Sequence, residues 1–73
     1  MKTMTVKTSI KGDEVNTFKV LVESTHAGLE LERDWNYNQR RNKKNFPNTE
    51  ERHYSAIAFE QPTPHELKAL ELY

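Results

Sequence analysis

Two runs of alternating apolar and polar residues near the start of the chain constrain its fold more than any other feature. From Thr3 to Ile10, Met4, Val6 and Ile10 fall on one side and Thr5, Lys7 and Ser9 on the other, with Thr8 as the break on the inner side. From Thr17 to Glu23, Phe18, Val20 and Val22 share a side. A period of two is the mark of a half-buried strand. Lys11-Gly12-Asp13-Glu14 between the runs has turn chemistry, because Gly12 tolerates a positive φ. An antiparallel hairpin is expected.

What the hairpin packs against is limited by size. The chain has 73 residues, and one this short buries only about 60% of its unfolded surface. It holds one core and is read as a single domain, residues 1–73. Its large aliphatic residues and phenylalanines come to roughly 20%, the boundary at which disorder is suspected. Disorder also calls for high net charge, whereas eleven Lys and Arg balance eleven Asp and Glu. A folded but thinly cored domain follows, one that a partner or dimerisation would help to complete. The absence of Cys fits a reducing, cytoplasmic setting and excludes thiol chemistry and Cys-based metal sites. No run is apolar enough for a signal sequence or a membrane span, so no membrane association is expected.

The middle of the chain supports two assignments. Leu29, Leu31 and Trp35 suit one face of a strand, which would set Glu30, Glu32 and Asp34 together on the other. Acidic residues early and Arg40, Arg41, Lys43 and Lys44 late suit a helix macrodipole. Asn36, Asn38, Asn42 and Asn45 weigh against a helix, because their amides compete for nearby backbone groups. A strand followed by a long loop is the preferred reading, with Ser24 to Gly28 as a connector. Phe46-Pro47-Asn48 ends whatever precedes it. Tyr54 to Glu60 reads as a strand with Ile57 and Phe59 on one face and Tyr54, Ala56 and Ala58 on the other; a helix beginning at Asn48 is the competing assignment. Thr63-Pro64-His65-Glu66 is a capping box with Pro at the first helical position. It opens a short helix from Pro64 to about Leu72, with Leu67 and Leu70 on one stripe and Tyr73 nearby. The expected fold is α+β: a mainly antiparallel sheet of three or four strands with the C-terminal helix across one face.

The segment from Trp35 to Phe46 is the densest concentration of interaction chemistry. Trp35, Tyr37 and Phe46 are interleaved with Arg40, Arg41, Lys43 and Lys44 and with amide side chains. Trp, Tyr and Arg dominate protein-binding hot spots, and the same residues suit single-stranded nucleic acid, with cations on phosphates and rings stacked on bases. The blander reading makes Trp35 and Phe46 core anchors that close a solvated loop. Balanced charge and a pI of about 6.8 weigh against nucleic acid.

Catalysis finds no support. His26, His53 and His65 lack metal-ligand spacing, and no nucleophile elbow or phosphate loop is present in a chain with two Gly. No cofactor is expected. The sequence therefore points to a non-catalytic protein-binding module, an adaptor, inhibitor or accessory protein acting on a larger protein or complex. Residues Trp35, Tyr37, Arg40, Arg41, Lys43, Lys44 and Phe46 are its candidate surface, and exposed strand edges offer a second route by strand addition. Self-association and nucleic-acid binding through segment 35–46 are the alternatives.

Overall fold

The computed structural model describes residues 1–71, with side chains through residue 69. The element order is β1 (Lys2–Ile10), β2 (Asp13–Val22), α1 (Thr25–Asn45), β3 (Arg52–Glu60) and α2 (Pro64–Glu71). The strands form one antiparallel sheet in the order β2-β1-β3, which establishes the α+β class with three strands.

The hairpin forms as expected, with a tighter turn. Its two central residues, Lys11 (φ 53°) and Gly12 (φ 86°), both have positive φ, the signature of a type I′ turn whose twist matches that of the strands. β2 therefore begins at Asp13, earlier than the alternation suggested. The register shifts between Thr8 and Ser9, leaving Val15 as the extra residue of a β-bulge. Met4, Val6 and Thr8 are fully buried on the inner face, opposite Val20, Phe18 and Asn16, and the Thr8 hydroxyl donates to the Asn16 carbonyl at 3.1 Å.

Residues 25–45 form one helix, not a strand and a loop. Ser24, expected in a connector, is the N-cap: its hydroxyl accepts from the Ala27 amide at 3.1 Å. Gly28, Leu31 and Trp35 recur at helical spacing and meet the sheet. The approach is closest at Gly28, where an added Cβ would lie 2.6 Å from Phe59 Cε1 and 2.9 Å from Met4 Sδ. Of the three early carboxylates Glu32 consequently separates, while Glu30 and Asp34, four residues apart, stay on one side of the helix. Glu30 faces His26 at 3.1 Å in the first turns, so His26 is a helix residue and not a loop residue, while Glu32 points to β3.

The asparagines that argued against a helix are used elsewhere. Asn36 Nδ2 donates to the Tyr54 carbonyl at 2.9 Å, and Asn36 Oδ1 accepts from the Tyr54 amide at 2.7 Å. One turn before, Glu32 accepts from the Ala56 amide; nearly one turn after, Gln39 accepts from the Arg52 amide at 3.2 Å. Arg52, Tyr54 and Ala56 are alternate residues of β3 whose amides point away from β1. The helix thus closes an edge that would otherwise be open.

The assigned faces of β3 are also corrected. A register shift between Thr5 and Val6 makes Ile57 the extra residue of a second bulge, so Tyr54, Ala56 and Phe59 lie opposite Thr8, Val6 and Met4 on the inner face, and Ile57 is exposed. A bulge advances the side-chain phase by one residue, which strict alternation cannot anticipate. Phe18, Trp35 and Tyr54 then form an aromatic cluster, with ring centroids 5.2 to 6.4 Å apart.

The capping box forms: the Thr63 amide donates to Glu66 at 3.3 Å, and the Glu66 amide donates to the Thr63 hydroxyl at 3.1 Å. α2 lies against β2, where Glu66 meets Lys19 at 3.6 Å. Lys19 and Leu21 belong to the face opposite Phe18 and Val20, so the two helices cover opposite faces of the sheet. Leu72 and Tyr73, assigned from sequence to this helix and its stripe, lie outside the described residues. Among the described residues no helix is long and apolar enough to cross a membrane.

Candidate functional site

Strand addition, the second route read from the sequence, meets little open edge. The outer edge of β3 is taken by Glu32, Asn36 and Gln39. On β2 the bulge at Val15 interrupts the edge, the Thr17 amide donates to Asn16 Oδ1 at 2.9 Å, and Lys19 follows. Bulges and edge lysines are devices that discourage pairing.

The remaining surface is the outer face and last turns of α1. Its last ladder contact with β3 is at Gln39, and beyond it residues 40–45 are all exposed. The helix runs about 31 Å at 1.5 Å per residue, in a molecule 42 Å long and 21 Å across, so these last turns extend past the cluster of Phe18, Trp35 and Tyr54.

The seven candidate residues divide accordingly. Trp35 is half-buried in the aromatic cluster and belongs to the core. Tyr37, 57% exposed, lies on the opposite side of the helix. With Arg40, Arg41, Lys44 and Asn45 it lines a shallow, open groove bounded by side chains of α1 alone. Spacings of three, four and seven residues place Tyr37, Arg40, Arg41 and Lys44 on one helix face. Lys43 turns away and donates to the Pro47 carbonyl at 2.7 Å, tying down the helix end. Phe46 is the C-cap and is 65% exposed, so it anchors nothing in the core.

The fold adds residues that sequence reading passed over. Lys11, Asn36, Arg40, Glu51, Arg52 and His53 line a second groove of about 240 Å³ between the hairpin turn, α1 and the start of β3. Arg40 belongs to both grooves. The one sequence signal for Lys11 was its place before Gly12 in a tight turn; nothing local linked it to Arg40.

Cations gather at one end of the molecule without excluding carboxylates, since Asp13, Glu14 and Glu51 lie at the same strand ends as Lys11 and Arg52. Lys2 pairs with Val22 and Thr3 with Glu60, so Glu23, Glu60 and the start of α1 with Glu30 lie at the end opposite Lys11. Among the described residues the ion pairs are Lys7–Glu14, Lys19–Glu66 and His26–Glu30, and none engages Arg40, Arg41 or Lys44. With screening over about 8 Å at physiological salt, a ligand at these cations does not sense the acidic end. Glu66, at the far end, is held below the ordinary glutamate range, first by the Thr63 backbone hydrogen bond and further by Lys19. Among the described residues no group of three or more His, Cys, Asp or Glu is placed to hold a metal ion.

Comparison with known protein families, curated proteins and solved structures returns no match for this chain. The functional reading therefore rests on the geometry of the site.

Proposed function

We propose that this chain is a non-catalytic protein-binding module that docks through the projecting half of α1, acting as a small adaptor, inhibitor or accessory protein on a larger partner. The observation that carries this reading is the groove of Tyr37, Arg40, Arg41 and Lys44, on a face of the helix turned away from the sheet and with no carboxylate paired to its cations among the described residues. Tyr and Arg are the residue types that anchor interfaces. A cysteine-free chain is compatible with the reducing cytoplasm, and that location belongs to the same proposal.

Affinity capture from host lysate after nuclease treatment tests it. The expected result is one stoichiometric protein, lost when Arg40, Arg41 and Lys44 are replaced together by Gln in a chain that still folds. Retention by that variant places the interface elsewhere and refutes this surface.

Nucleic-acid binding is the second reading, and the grouping of Arg40, Arg41 and Lys44 on one exposed helix face favours it over what the neutral average of the whole chain suggests. Its mark is steep salt dependence, with a slope set by the number of phosphates contacted.

A further inference from the structure

We infer that the partner presents an acidic peptide segment whose carboxylates are held where the two grooves meet, by Arg40 with Lys11 and Arg52 on one side and Arg41 and Lys44 on the other. The inference rests on the protein-binding reading and names the chemistry of that partner. Arg40 stands at the junction, and the cations around it come from the hairpin turn, α1 and β3. The planar guanidinium fork matches a carboxylate with two parallel hydrogen bonds.

Lys11 supplies an independent argument. It occupies the left-handed region at φ 53° in a position where Asn, Asp or Gly fits without its steric penalty. Backbone strain of this kind clusters at functional sites. Here the strained residue places a cation in the groove with Arg40 and Arg52. Asn would make a better turn and remove that charge.

An acidic peptide fits better than a nucleic acid strand. Glu51 lines the same groove, and Asp13 and Glu50 flank it in sequence. A strand with a phosphate at every step meets these carboxylates, whereas a peptide sets its own at Arg40 and neutral residues beside Glu51. Each groove has a single ring among its lining residues, Tyr37 in one and His53 in the other, since Trp35 is in the core. Single-strand binders stack successive bases on several rings.

The test is a fluorescence-anisotropy titration of the full chain with a labelled peptide of alternating Glu and Ser around one Phe. The Gln version of the peptide and a single-stranded oligothymidylate of equal charge are run beside it. Saturable binding of the Glu peptide alone is expected, weakened about tenfold by Arg40→Gln, the scale of one lost hydrogen bond to a charged group. Lys11→Asn weakens it several-fold while raising the melting temperature. Arg33→Gln, an exposed cation of α1 outside both grooves, leaves it unchanged. The inference is overturned by absence of saturable binding, by tighter binding of oligothymidylate, by equal losses from Arg33→Gln and Arg40→Gln, or by a Lys11→Asn chain with undiminished affinity. Lysate capture judges the underlying reading separately: a host protein held equally by the wild type and by Arg40→Gln removes this junction and leaves protein binding standing.

Discussion

At the scale of single residues, two positions show how local preference and global need diverge. Gly28 sits in a helix, where Ala is favoured by about 1 kcal/mol, yet a Cβ there would run into the Phe59 ring and Met4 Sδ. Overpacking of this kind costs about 1–3 kcal/mol. Gly28→Ala is therefore expected to lose about 0–2 kcal/mol net, measured by urea unfolding; a stabilised variant would show that helix and sheet can separate freely. Lys11 diverges in the other direction. Its left-handed backbone costs about 1–2 kcal/mol relative to a residue suited to it, so Lys11→Asn is expected to gain about 1 kcal/mol. That corresponds to a rise of about 4–8 °C in Tm for a domain this small.

At the scale of elements, α1 serves three purposes with three faces. One face buries Gly28, Leu31 and Trp35 against the sheet; a second gives Glu32, Asn36 and Gln39 to the β3 backbone; the third presents Tyr37, Arg40, Arg41 and Lys44. Replacing Glu32, Asn36 and Gln39 together by Ala leaves three outward amides of β3 without side-chain acceptors. An unpaired edge invites strand pairing between chains, so concentration-dependent association by sedimentation velocity is the expected outcome. A variant that remains monomeric shows that the helix shields this edge by bulk alone.

α2 makes a different prediction. Glu66 titrates lower in the folded chain than in the unfolded one, so the stability it contributes is present above its unfolded value and lost as pH falls through the folded value. The start of α2 is therefore expected to loosen in acid, below the ordinary glutamate range near about 4.3. Amide chemical shifts of Thr63 and Glu66 report it, and Glu66→Gln removes the pH dependence. The same acid response in that variant would assign the transition to another carboxylate.

At the scale of the whole molecule, the buried hydrophobic core among the described residues consists of Met4, Val6 and Val22, enlarged by half-buried residues from β2, α1 and β3. A core this small leaves much of α1 unused by folding, and Arg40, Arg41 and Lys44 fall together on its exposed end although the formal charges sum to zero over the chain. Average composition counted against any anion partner, while the arrangement leaves one end available to it.

The hairpin and the capping box of α2 were legible because each depends on neighbours within a few residues: alternation over eight positions, Gly12 in the turn, Thr63 three residues before Glu66. The helix is not legible locally, because Asn36 has poor intrinsic propensity and its compensating bonds to Tyr54 lie eighteen residues away. Ile57 was misplaced because a bulge appears only once β3 is registered against β1. Among the candidate residues, the sequence determined the charge and aromatic content of segment 35–46. The tertiary structure alone decided that Trp35 turns inward, that Tyr37 and Arg40 turn outward, and that Lys11 and Arg52 join Arg40. Local preferences act over a few residues, whereas these outcomes depend on which side of one long helix meets the sheet and which strand ends meet its far turns.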